Sequence, residues 1–106
     1  MAGIIIGNIQ AAGVVTLTLS PASVAANTTA EQTFTLPGAV AATDYVYVNK
    51  PTAQAGLGIV GARVSDANTL AITFSNNTAA PIVPTASEAY KVFYVRQDST
   101  QSGVVA

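Results

Sequence analysis

Few side chains of this 106-residue chain are suited to chemistry. It contains neither histidine nor cysteine, which removes the commonest general bases, activated nucleophiles and transition-metal ligands. The acidic residues each fall at a predicted strand end or turn, where a carboxylate caps backbone amides or keeps a loop soluble: Glu31, Asp44, Asp66, Glu88 and Asp98. Their spacing does not predict the pair of carboxylates that glycoside hydrolysis requires. We therefore expect no catalytic activity, no catalytic residue and no cofactor.

Two groups of oxygen-bearing side chains could bind calcium if loops at one end of the molecule met. They are Asp66 with Asn68, and Asp44 with Asn76 and Asn77, which offer the hard oxygen ligands that Ca²⁺ prefers. However, the chain has no Asp-x-Asp-x-Asp loop, and Asp and Asn are also common turn residues. Turn chemistry explains Asp66 and Asn68 fully, so we expect no metal site.

Glycines at positions 56, 58 and 61 could suggest a phosphate-binding loop. Such a loop needs a following helix whose N-terminal amides face the anion, whereas Ile59, Val60 and Val64 predict a strand at this point. Glycines before and within a strand are typical of a bulge or of a close backbone approach. We expect one of these structural roles.

Basic residues give no sign of a nucleic-acid or membrane partner. Lys50, Arg63, Lys91 and Arg96 are scattered along the chain, so no basic patch is predicted. No apolar run approaches the length that spans a membrane, and the isoleucines at 4–6 are too few for the core of a signal peptide.

The low charge and the aromatic residues point instead to adhesion. Charged residues make up 8% of the chain, against about 25% in an average domain, and contiguous exposed apolar surface usually marks an interface. The alternative is a monomer whose surface is covered by Thr, Ser, Asn and Gln. The tyrosines could stack on sugars, or pack at the core rim or in a subunit contact; with no tryptophan, the second use is favoured. We predict interface residues Ile4, Ile5, Ile6, Tyr45, Tyr47, Tyr90, Phe93 and Tyr94.

Short segments of alternating apolar residues must position these side chains. Val15, Leu17 and Leu19 alternate with threonines, as do Phe34 and Leu36, and this period of two indicates half-buried strands. Further strands are predicted at residues 45–49, 57–64, 69–74 and 89–97, with 81–84 as an edge strand or extended loop. The fold class is therefore all-β: a single antiparallel β-sandwich of six to eight short strands, immunoglobulin-like or jelly-roll-like.

Two strands and one hairpin can be described further. Residues 57–64 and 69–74 form a hairpin whose turn, at 65–68, contains Asp and Asn. Val46 and Val48 are expected to face inward, which turns Tyr45 and Tyr47 outward. Residues 89–97 carry apolar side chains on both faces, which predicts a strand that is buried centrally or lies at a subunit contact.

The domain boundaries follow from the same pattern. Residues 1–12 are predicted as an N-terminal arm or an edge strand, with the arm favoured because glycines interrupt the stretch and it lacks alternation. Residues 13–97 form the β-sandwich domain. Residues 98–106 form a flexible, polar C-terminal tail.

Four segments resemble a module that recurs in structural proteins of tailed bacteriophages. They are SPASVAANTTAEQTFT at 20–35, VNKPTAQAGLGIV at 48–60, ARVS at 62–65 and NTLAITF at 68–74. The resemblance covers roughly residues 16–97, most of the chain, and the run from Asn49 to Val60 is its most specific part. Similar segments occur in small head-decoration or cement-like proteins and at the ends of head or tail fibres.

The resemblance implies a virion component with no catalytic residues. A fibre needs a long shaft, so the short chain from Met1 favours a cement protein that decorates the capsid. Such a protein is made in the bacterial host cytoplasm, lies on the capsid surface, binds the major capsid protein and stabilises the head. Such a protein is expected to be a homo-oligomer, and a homotrimer is favoured because it suits the threefold positions of a capsid. The alternative is a receptor- or glycan-binding domain of a head or tail fibre.

Overall fold

The structure, a computed structural model, describes residues 8–98 and consists of antiparallel strands in two three-stranded sheets. This confirms the prediction of a small all-β sandwich. The strands are β1 (Ile9–Leu19), β2 (Thr28–Thr35), β3 (Asp44–Asn49), β4 (Leu57–Asp66), β5 (Thr69–Asn76) and β6 (Glu88–Gln97). Residues 8–98 include no helix that could span a membrane.

The first four strands alternate between the two sheets, and β5 then pairs with β4 before β6 returns to the first sheet. One sheet has the order β1-β6-β3 and is called here the 1-6-3 sheet; the other has the order β2-β5-β4 and is called the 2-5-4 sheet. The central strands are therefore β6 and β5. On the other side of the core from β1 and β2, the edge strands β3 and β4 pack beside each other and close the sandwich.

The core lies between the two central strands. Leu70, Ile72 and Phe74 of β5 are fully buried against Tyr90 and Val92 of β6. Because side chains alternate along a strand, the alternation read in the sequence puts these residues on the inner faces. The inner faces of the two central strands are buried against each other, which gives this small domain one continuous core.

The prediction that residues 89–97 form a centrally buried strand is confirmed in part, for the position in the sheet and for the inner face. β6 is hydrogen-bonded to β1 on one side and to β3 on the other, so it is the central strand of its sheet. Tyr90 and Val92 face the core, whereas Phe93 is exposed on the outer face.

The start of the fold differs from the predicted boundary at residue 13. β1 begins at Ile9, so residues 9–12 belong to an edge strand and not to an arm. In the pairing of β1 with β6, Gly13 lies opposite Tyr94. The Tyr94 hydroxyl and its nearest ring carbons are 3.0–3.2 Å from where a Gly13 Cβ would be. The aromatic ring thus covers the glycine and supports the pairing. Residues 1–7, with Ile4, Ile5 and Ile6, and the tail from residue 99 onward lie outside the described residues.

The predicted hairpin is confirmed with slightly longer strands. β4 and β5 pair antiparallel, and the chain turns at Ala67 and Asn68. Asn68 adopts a left-handed φ of 56°, which asparagine tolerates better than most residues. Its Oδ1 accepts a hydrogen bond from the Gly38 N–H at 2.7 Å. The turn residue thus also joins two loops at one end of the sandwich.

Candidate functional site

The outer face of the 1-6-3 sheet carries large apolar side chains that are open to solvent. Val14 is 62% exposed, Phe93 46%, Tyr47 67% and Tyr45 59%. Val14 lies on β1, Phe93 on β6, and the two tyrosines on β3. Each points away from the core, because the residues before and after it in its strand point inward. The same alternation that builds the core therefore places an apolar surface on the opposite face.

Strand register gathers these side chains into two adjacent rows. Phe93 lies opposite Val14 on one side and Tyr47 on the other. Since neighbouring strands are about 4.8 Å apart, a row of three strands is about 10 Å wide. The next row contains Ala12, Val95 and Tyr45. The six residues of these rows, Ala12, Val14, Tyr45, Tyr47, Phe93 and Val95, are called here the aromatic face.

Polar side chains border the aromatic face. The Tyr45 hydroxyl donates a hydrogen bond to Gln97 Oε1 at 2.9 Å, which holds that ring at the end of the face. On the other side the next row consists of Thr16, Lys91 and Asn49. Lys91 is the one charged residue among the outward-facing positions of these three strands in residues 8–98. An apolar centre with a polar border is the usual composition of a protein interface.

The outer face of the 2-5-4 sheet is different. It is formed mainly by threonine and serine, with an exposed ion pair in which Arg63 contacts Glu31 through two hydrogen bonds of 2.9 and 3.0 Å. The hydrogen bond from Arg63 lowers the pKa of Glu31. Val60, on the edge strand β4, is the large apolar residue exposed on this sheet. The two faces of one small fold therefore have contrasting chemistry.

The size of the aromatic face also distinguishes it. Its four large side chains leave on the order of 500 Å² accessible, which is at the upper range for the largest apolar patch of a monomer, and such patches are often functional.

The structure places the predicted interface residues in different parts of the fold. Tyr45, Tyr47 and Phe93 lie together on the aromatic face; their use as an interface stays a prediction. Tyr94 points inward and packs against Gly13. Val14 was not among the predicted residues, although the alternation of Val15, Leu17 and Leu19 already places it outward.

The prediction of Tyr90 as an interface residue is wrong. Tyr90 is fully buried between the sheets, so it cannot contact a partner. The reason is register: β6 is a central strand, and its inward-facing residues are covered from both sides. The hydroxyl has no hydrogen-bond partner in the described part of the chain, and burial, followed by the nearby charge of Glu88, raises the pKa of Tyr90 to about 12. The group is a core residue with a buried hydroxyl.

Asp44 is held in a structural ion pair at one end of the 1-6-3 sheet. Arg96 donates to both of its carboxylate oxygens at 2.7 Å and to the Gly38 carbonyl at 2.7 Å. The Val40 N–H adds a bond of 2.9 Å. These donors, Arg96 first, lower the pKa of Asp44 to about 2. A carboxylate so fully engaged serves to join β3, β6 and the loop between β2 and β3.

Glu88 is engaged in a similar way at the other end. The Thr52 hydroxyl donates to Glu88 Oε2, and Lys50 Nζ lies 3.0 Å from Oε1. The second contact is a charge contact, because its geometry is not that of a hydrogen bond. Lys50 also donates to the Thr52 carbonyl at 2.8 Å. Together, with Thr52 first, these contacts lower the pKa of Glu88.

The residues weighed for calcium do not come together. Asp66 Oδ1 accepts from the Ala67 N–H, as a turn residue does. Asp44 is paired with Arg96 at one end of the sandwich, whereas Asn76 is buried at the other end and accepts from Thr78. Within residues 8–98 no three His, Cys, Asp or Glu side chains are grouped as a metal site would require.

The glycine-rich segment has the structural roles predicted for it. Gly56 has a φ of +79°, and a Cβ there would collide with Thr78, so it marks a close approach. The β4–β5 register shifts between Ile59 and Gly61, which is a bulge.

A hollow of about 250 Å³ lies beside the core, where the 1-6-3 sheet extends past the β4–β5 turn. It is lined by apolar residues such as Ala11, Val15 and Val46, with Asp44 and Arg96 at its polar side. Because these two charged groups already bond each other, the hollow offers a ligand no unsatisfied charge.

Comparison with protein-family models, with curated proteins and with solved structures found no match for this chain.

Proposed function

We propose that this protein is a non-enzymatic structural component of a bacteriophage virion, a cement protein on the capsid surface that binds the major capsid protein and stabilises the head. The observation that carries the proposal is the aromatic face, an apolar surface on a sandwich whose carboxylates Glu31, Asp44 and Glu88 are held in ion pairs. The resemblance of residues 20–74 to phage structural modules supports the same conclusion. Synthesis in the bacterial host cytoplasm and self-association belong to the proposal.

The mechanism is mass action. A protein that binds the assembled lattice and not its dissociated subunits stabilises the lattice by RT ln(1 + [L]/Kd), which is about 2.7 kcal/mol at a concentration one hundred times Kd. Many copies multiply this effect over the shell. Burying the rings of Tyr47 and Phe93 against an apolar patch of the capsid would supply the affinity, since such aromatic residues commonly dominate interface energies.

The test is a decoration assay with capsids that lack this protein. Purified wild-type protein should co-sediment with them in many copies and raise the temperature at which they release DNA. Tyr47→Lys places a charge in the centre of the aromatic face and should reduce binding at least tenfold. Val83→Lys is the matched control, because Val83 is 61% exposed and lies outside both sheets.

Two outcomes would contradict the proposal. Wild-type protein that fails to bind any capsid or other virion part would remove the structural role. Equal loss of binding in Tyr47→Lys and Val83→Lys would remove the assignment to the aromatic face.

A receptor- or glycan-binding head or tail-fibre domain is the second candidate. It is favoured by the adjacent, exposed rings of Tyr45 and Tyr47, since tyrosine presents an apolar face together with a polar hydroxyl. Quantitative gels of purified virions separate the two candidates. A cement protein should be present in hundreds of copies, and a fibre domain in few copies whose loss abolishes adsorption to the host cell.

A further inference from the structure

The outer edge of β1 lacks the features that normally protect a sheet edge. Within residues 8–98 no strand pairs with that edge. A free edge offers backbone N–H and C=O groups to any extended chain, and proteins usually protect it with charged residues, proline or bulges. The eleven residues of β1, IQAAGVVTLTL, contain no charge and no proline. Its register shift is confined to the first residues, between Ile9 and Ala11, so the rest is a regular edge.

The other three edge positions are protected. β2 carries Glu31, which is paired with Arg63 of β4. β4 has two register shifts, at Ile59/Gly61 and at Val64/Asp66. β3 packs beside β4, and Pro51 follows it closely. β1 is therefore the edge in the described part of the chain that is most able to accept another strand.

The side of the core along β1 is open as well. The inward residues Val15, Leu17 and Leu19 pack on the core and remain partly buried, as do inward residues of the other edge strands. The sandwich is closed where β3 meets β4, and no comparable contact joins β1 to β2 within residues 8–98. A chain placed along β1 would cover this side.

We propose that β1 pairs antiparallel with β1 of a second copy across a two-fold axis, which joins the two 1-6-3 sheets into one six-stranded sheet. A two-fold interface brings the same residues of both copies together. Like charges directly opposite each other destabilise a strand pair, and β1 has none, so it is compatible with itself. Val14 is the middle residue of Ile9–Leu19, and full antiparallel overlap places the two Val14 residues opposite each other.

The surface area also favours a second copy as the occupant. One aromatic face, on the order of 500 Å², is smaller than the roughly 800 Å² per partner of a standard interface. Val14 is the residue of the aromatic face that lies on the β1 edge. Pairing two β1 strands makes the two aromatic faces continuous and doubles the apolar surface. This area argument rests on the proposed function, whereas the open edge of β1 concerns the free protein and names the strand through which the proposed self-association takes place.

The test measures molar mass by sedimentation velocity of the full chain over a range of concentrations, without capsids. Wild-type protein should be a dimer that dissociates on dilution. Val14→Lys brings two ammonium groups together at the axis and should weaken the dimer at least tenfold. Val60→Lys is the matched control, with the same 62% exposure on another edge strand, and should leave the dimer intact. Far-UV circular dichroism verifies that each variant is folded.

Tyr47→Lys distinguishes edge pairing from packing of the two faces. Tyr47 is on β3, the strand of the 1-6-3 sheet farthest from β1. Edge pairing predicts that this variant remains a dimer, whereas face-to-face packing predicts that it becomes a monomer. A Tyr47→Lys monomer would therefore overturn the proposal, although it would leave the proposed function standing.

A cross-linking experiment gives an independent readout. The chain has no cysteine, so a single introduced cysteine reports only its own position. Oxidised Val14→Cys should run as a covalent dimer on a non-reducing gel, and Val60→Cys should not. Equal cross-linking of the two variants, a wild-type monomer at every concentration, or a trimer would overturn the β1 pairing; the trimer would support the threefold arrangement expected from capsid geometry.

Discussion

Replacing Asp44 by asparagine tests the buried ion pair at the end of the 1-6-3 sheet. The pKa of Asp44 falls from 3.8 to about 2 in the folded protein. At 1.36 kcal/mol per pKa unit, this corresponds to about 2 kcal/mol of stability at pH 7. Asp44→Asn keeps the shape of the side chain and removes its charge. We expect it to lower the free energy of unfolding at pH 7 by about that amount.

The sign of the pH dependence follows from the lowered pKa. A carboxyl whose folded pKa is below its unfolded value stabilises the fold above the unfolded pKa, and this contribution is lost as pH falls through the folded pKa. For Asp44 the window extends from about pH 5 down to about pH 2. The difference between wild type and Asp44→Asn should therefore shrink on acidification, with about half of it remaining at pH 3.

Urea unfolding at pH 7 and pH 3, followed by far-UV circular dichroism at one protein concentration, measures both differences. Other carboxylates titrate equally in the two proteins, so the comparison isolates Asp44. Glu31→Gln is the control, because the Glu31–Arg63 pair is exposed and exposed pairs contribute little. A wild-type advantage over Asp44→Asn that is as large at pH 3 as at pH 7 would refute the assignment of the lowered pKa to Asp44.

Three further substitutions test the core and the glycine contact. Tyr90→Phe removes a buried hydroxyl without a partner and should stabilise the fold by up to about 1 kcal/mol in urea unfolding; a loss of stability would show that the hydroxyl is bonded. Gly56→Ala meets Thr78 at a positive φ and should cost at least about 1 kcal/mol, whereas a neutral effect would exclude strain there. Phe74→Ala opens the core and should lower stability by about 3–5 kcal/mol; a change below about 1 kcal/mol would place Phe74 outside the core.

Local patterns in the sequence account for most of the fold class. The alternation around Leu17, Phe34 and Ile72 has a period of two, and a strand is the structure that turns such a pattern into one buried face. The turn at Asn68 and the positive φ of Gly56 are also local, because each depends on the φ that its own residue tolerates. The apolar residues on both faces of β6 predicted cover on both faces, but its outer face is open to solvent at Phe93, and its central position comes from its pairing with β1 and β3.

The candidate site was predictable only in part. The sequence indicates that Tyr45 and Tyr47 face away from Val46 and Val48, and this is a property of one strand. It does not indicate that Val14 lies in the same row as Phe93 and Tyr47, because that depends on which strands are neighbours and in which register.

The sequence by itself determined the strands, their inner and outer faces, and the absence of histidine and cysteine chemistry, because these depend on residue type and on short-range spacing. Only the tertiary structure decided that Tyr90 is buried while Tyr47 is exposed, that Asp44 meets Arg96, and that the edge of β1 is open. Those outcomes depend on pairing between segments far apart in the chain. A strand's own residues specify which face is apolar, but the burial of that face depends on what the rest of the chain brings against it.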